Sequence, residues 1–225
     1  MEVLDQAFKK LFFSNLMCAL LCSPYFLFLY LFCLDRTFLY LLLAIIPGGA
    51  LAGPGITCMI DTILRALRDE GGLWSLTWKK AWRQNAGESI GPGIAGALLL
   101  TVLLLIMQIL SADSSLIPYW ILLFSSLLLM SVLLQYYLFQ TCTMSLSAFA
   151  KLKNSILFFF LWLPRSLSAG AFNAVCILAL YAFLPYSLFF IALLGFSLPL
   201  TASSLMLYAP FERKFDLEAK IKKLN

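Results

Sequence analysis

Six apolar runs dominate the chain, at roughly 11–33, 37–66, 90–111, 117–142, 160–183 and 186–208. About 20 apolar residues carry a helix across the hydrocarbon core of a bilayer. The runs are continuously apolar and do not alternate in ten-residue pieces, which favours helices over a barrel. A 225-residue chain that is 62% hydrophobic and 12% charged cannot hide that surface in one soluble core. The expectation is an all-α membrane protein with six transmembrane helices. The first run resembles the later ones and no A-x-A cleavage site follows it, so it reads as a retained span.

A near-repeat divides these runs into pairs. Residues 8–15 read FKKLFFSN and residues 78–85 read WKKAWRQN. Each precedes an apolar run and ends in asparagine, and a basic segment with Lys151, Lys153 and Asn154 precedes the fifth run. Asn15, Asn85 and Asn154 therefore mark three units, with Pro24, Pro92 and Pro164 following them in turn. The units cover about 8–72, 73–143 and 144–211 of a single integral membrane domain, 1–225, with a charged tail at 212–225. The expected architecture is three hairpins related as parallel repeats, each entered through a cytoplasmic interfacial helix.

Charge sets the orientation. Of the sixteen basic residues, nearly all fall before run 1, between runs 2 and 3, between runs 4 and 5, or after run 6. The positive-inside rule places those segments, and both termini, in the cytoplasm. The net charge of +5 is thus a topology signal, and no basic soluble surface exists for nucleic acid. The opposite turns are short, at Leu34-Asp35-Arg36, 112–116 and Leu184-Pro185, and force antiparallel neighbours.

Several residues are candidates for function. Trp74, Trp78 and Trp82 recur every fourth residue, with Lys79, Lys80 and Arg83 off that stripe. Such a helix suits either the headgroup interface of a lipid bilayer or docking of a cytoplasmic partner. The second run contains IPGGALAGPGIT, residues 46–57, which should break a uniform helix at Gly53-Pro54. A break serves either a transport site or close helix packing. Asp61 and Arg65 follow at i,i+4 spacing, either as a pathway pair or as a pair near the headgroups. Arg165 follows Pro164, and the repeat places it at the start of a span, near the cytoplasmic face.

Chemistry is sparse. The chain has no histidine, and its six cysteines lie in or beside the apolar runs, as small packing residues do. No paired carboxylates, phosphate loop or nucleophile–base pair stands out, so neither catalytic residues, a metal nor a cofactor is expected.

The segment from Pro47 to Asn85 resembles the YesL family of bacterial membrane proteins. The likeness lies in Gly53-Pro54, the helix ending in Arg65-Ala-Leu-Arg68, the Asp-Glu-Gly turn, and Trp78-Lys79-Lys80-Ala81-Trp82-Arg83-Gln84-Asn85. Lys151-Leu-Lys-Asn154 and Leu163-Pro164 are similar to that family's second cytoplasmic segment. The family has no established activity, and its members are often encoded beside carbohydrate ABC importers. The resemblance implies a noncatalytic accessory protein of sugar uptake in the bacterial cell membrane, with ABC transporter subunits as partners. The alternative is a stand-alone small-molecule transporter or channel that uses the broken second helix.

Overall fold

A computed structural model describes residues 2–68, 73–112, 119–183, 186 and 190–215, and every regular element among them is helical. Helix α1 (Glu2–Asp35) passes through Pro24 without a break. Pro24 cannot donate to the Leu20 carbonyl four residues back. Ser23 Oγ donates to that carbonyl instead, at 2.7 Å. Arg36 then takes a positive φ of 55°, and Thr37 leads into α2 (Phe38–Leu67). Next come α3 (Trp74–Ala112), α4 (Tyr119–Thr143), α5 (Ala148–Leu161) and α6 (Leu163–Ala182). A π turn at Ile191–Gly195 precedes α7 (Ser197–Phe215). Six helical stretches are long and apolar enough to cross a membrane: Phe8–Asp35, α2, α3, α4, α6 and Leu193–Arg213. The expected turn at Leu184-Pro185, most of that at 112–116, Gly71-Gly72 and the tail from 216 lie outside the described residues.

The even-numbered spans lie inside. Helix α2 packs against α4 and α7 as well as against α1 and α3. Helices α4 and α7 meet through Gln135 and Ser204 and through the Phe139 and Phe211 rings, whose centroids are 5.9 Å apart. Around these three, α1 touches α2 and α7, α3 touches α2 and α4, and α6 touches α4 and α7. The space between the inner helices is filled by Ile60, Leu64, Val132, Tyr136, Phe139, Leu207 and Phe211, all buried.

The Gly-Pro segment of the second run does not break its helix. Residues 38–67 are helical throughout, with a single π turn at Ala44–Gly48 that takes in Pro47. A wider turn accommodates the proline ring that an α-turn would reject. Pro54 lies inside the α-helical part. The small residues serve packing: Gly49 and Gly53 face Ser89, Gly93 and Ala97 of α3. A Cβ on Gly53 would fall 2.7 Å from Gly93 Cα, and one on Gly49 would fall 2.8 Å from Ala97 Cβ. The backbones touch, as small-residue motifs allow between membrane helices. Tyr25 ties α1 to the same place, its hydroxyl 3.0 Å from Thr101 Oγ1.

Separate entry helices are not general either. In the first two units the basic segment is the opening part of α1 and α3, and α3 runs unbroken through Pro92 for 39 residues. That length, about 58 Å at 1.5 Å per residue, is nearly twice what a span needs. Only the third unit has a distinct helix, α5. There the chain leaves helical geometry at Trp162 (φ −118°, ψ 40°), just before Pro164 restarts it.

Candidate functional site

The first half of α3 gathers most of the candidate residues. Its tryptophan stripe points inward. Trp74 Nε1 donates to Ser14 Oγ at 2.8 Å, and its ring lies 5.4 Å from Phe13 and 6.0 Å from Trp78. Trp78 packs on the cluster of Cys18, Cys22, Met59 and Ile63. The two near-repeat segments thus cover one another: the FKKLFFSN turn of α1 is a surface on which the tryptophans rest. Trp82 is half-buried, and Ala81, Asn85 and Ser89 complete the buried side.

Polar contacts fix this half-helix at two successive turns. At the first, Arg65 Nε donates to Asp61 Oδ2 at 2.9 Å, and Arg65 Nη2 donates to Gln84 Oε1 at 3.4 Å. Asp61 is 1% exposed, so its charge is matched inside the protein. At the second, Glu88, one turn after Gln84, pairs with Lys151 of α5. Lys151 is only 1% exposed and also lies 5.9 Å from the Tyr137 ring centroid. Its carbonyl and Ser155 Oγ both accept from Gln140 Nε2, at 3.1 Å each. In the turns before these contacts Leu76, Lys79, Lys80 and Arg83 are exposed and, with Gln84, line an open basic cleft.

The structure does not bring Arg165 to this site; it is exposed in the first turn of α6. Asn154 is half-buried on α5. Asn15 has the most specific role of the three marking asparagines. Its Oδ1 accepts from Phe196 N at 3.0 Å and Ser197 N at 2.8 Å, and its Nδ2 donates to Ile191 O at 3.1 Å. Asn15 therefore satisfies the backbone where the sixth span is irregular. The helix irregularity beside polar side chains belongs to span 6, ahead of α7, and not to the Gly-Pro segment.

Two features escaped sequence reasoning. One is Lys151 as a buried cation. The other is a set of buried amides, Gln135 and Asn173, in helices that composition marks only as apolar. Polar amides inside apolar runs were the signal for the second. Among the described residues, no group of three or more Cys, Asp or Glu gathers to hold a metal.

Comparison with known protein families, with curated proteins and with solved structures finds no match to this chain. The fold itself defines the class: an all-helical bundle with six helices of membrane-spanning length and composition.

Proposed function

We propose that this chain is a noncatalytic accessory protein of the bacterial cell membrane that docks a partner through the basic face of α3. The observation that carries the reading is the direction of the two faces of that half-helix. Trp74 and Trp78 are used internally, against α1, while Leu76, Lys79, Lys80 and Arg83 stay exposed on a segment held by the Arg65 and Lys151 contacts. A rigid, exposed, basic surface suits an acidic patch on a partner. The filled space between α2, α4 and α7 also favours a structural role over a pore. The resemblance to YesL-like proteins names the partner class, the subunits of a carbohydrate ABC importer.

The alternation of inner and outer helices supports three parallel-repeat hairpins, with the basic segments and both termini in the cytoplasm. In that arrangement the basic face of α3 meets the cytoplasmic side of its neighbours. The test is mild-detergent purification from native membranes of the wild type and of a triple Lys79→Glu, Lys80→Glu, Arg83→Glu variant. Importer subunits should accompany the wild type and be lost from the variant, with both proteins monodisperse. Wild-type protein that carries no transporter subunit would count against the proposal.

A second reading, a small-molecule transporter or channel, draws on the irregular start of span 6. Broken helices with free backbone groups often form transport sites. Here Asn15 occupies those groups, so transport would require Asn15 to release them. Proteoliposome flux that Asn15→Ala leaves unchanged would remove this reading.

A further inference from the structure

Helices α4, α6 and α7 share a buried polar seam. Gln135 of α4 is 2% exposed; its Nε2 donates to Ser204 Oγ of α7 at 3.0 Å and to Leu200 O at 3.5 Å. Asn173 of α6 donates from Nδ2 to Gln135 Oε1 at 3.5 Å. The amides thus form a one-way relay, α6 to α4 to α7, in which Gln135 uses both of its N–H groups. At its head, Asn173 Oδ1 is buried and has no hydrogen-bond partner among the described residues. Thr201 Oγ1, three residues before Ser204 on the same face of α7, is buried and unpartnered in the same way.

We propose that this seam binds one small neutral hydrogen-bond donor, a structural water, between Asn173 and Thr201. Buried amide oxygens left without a donor are rare and costly, so the site calls for a guest. The guest must donate, because Asn173 Oδ1 can only accept. It must also be neutral, because the seam supplies neutral oxygens and no carboxylate, and a bare ion would lose its hydration without a counter-charge. Water satisfies both conditions, donating to Asn173 Oδ1 and exchanging a hydrogen bond with the Thr201 hydroxyl, within the two to four bonds such waters make. The site links the second and third hairpins, apart from the basic face of α3, and does not depend on the docking role.

Radiolytic footprinting of the intact purified protein tests this, because hydroxyl radicals formed from an ordered water label the side chains beside it. Leu200 and Leu207, which flank the seam on α7, should be oxidised about tenfold faster than Leu127, which is buried in a separate apolar cluster. Asn173→Leu should bring them down to the control rate, and the near-isosteric Thr201→Val should do the same if the larger change prevents folding. Asn173→Asp, which retains acceptor oxygens, should keep the labelling. Control-level labelling of Leu200 and Leu207 in the wild type would overturn the proposal. So would labelling that appears only in sodium and vanishes in choline, which would assign the site to a cation.

Discussion

Gly53→Ala should force α2 and α3 apart. The new methyl group would lie 2.7 Å from Gly93 Cα and 3.1 Å from Gly93 N, and both are backbone atoms that no rotamer change can move. Carbon atoms settle at about 3.5–4.0 Å, so the helices must separate by about 1 Å, which forfeits a quarter to a half of each dispersion contact along the seam. With about twenty atom pairs at about 0.15 kcal/mol each, that loss is about 1 kcal/mol. Residual overpacking adds a further 1–2 kcal/mol or so. The sum, about 2–3 kcal/mol, corresponds to a fall in Tm of about 5–10 °C for a protein of this size. Thermal unfolding in detergent, read by a thiol-reactive fluorophore, suits the protein because Cys18, Cys22 and Cys58 are buried. Gly87→Ala is the control: a Cβ there meets nothing within 4 Å, and the change should stabilise by up to about 1 kcal/mol. The double variant Gly53→Ala, Gly93→Ala should cost less than the sum of the singles, since both open one gap. A Gly53→Ala protein as stable as Gly87→Ala would refute the close-contact reasoning.

Asn15→Ala strands the Phe196 and Ser197 amides and should cost about 2–4 kcal/mol, while Asn154→Ala should cost under about 0.5 kcal/mol in the same thermal assay. Equal losses at the two positions would show that Asn15 does not hold span 6. The Lys151–Glu88 pair should respond asymmetrically. Glu88→Ala leaves a buried ammonium without its counter-charge and should cost about 1–2 kcal/mol, discounted for the exposure of Glu88, whereas Lys151→Met leaves an exposed carboxylate and should be nearly neutral. A double-mutant cycle with no coupling would remove the pair as a clip. Arg36→Gly relieves a left-handed backbone but loses the guanidinium lying 5.8 Å from the Phe32 ring centroid, so the net gain should be about 0.5 kcal/mol; a drop in Tm would contradict that balance.

The spans were legible because the signal is long and one-dimensional. The run at 37–66 became Phe38–Leu67, and that at 117–142 became Tyr119–Thr143. What each face meets was not legible. The stripe of Trp74, Trp78 and Trp82 identifies a face, but headgroups, a partner and the FKKLFFSN turn of α1 all suit it. The Gly-Pro segment signals a weak helix in isolation; whether it breaks depends on Ser89, Gly93 and Ala97 lying opposite, which spacing cannot say. Lys151 shares its face with Asn154 and Ser155 at i+3 and i+4, which reads as a solvated side, yet Lys151 and Ser155 are buried while Leu152, Ile156 and Leu157 are exposed. Asn15 was marked by the repeat, yet its partner Phe196 lies 181 residues further on. Sequence reasoning found the residue, while the reason for it lay in tertiary contact.

That long reach has a consequence for biogenesis. The contacts that Asn15 makes to Phe196, Ser197 and Ile191 can form only once those residues lie beside it. The early helices are made well before the contacts that join the first helix to the last can form. Asn15 thus ties the first helix to the last, and a chain ending before Ile191 would lack that tie.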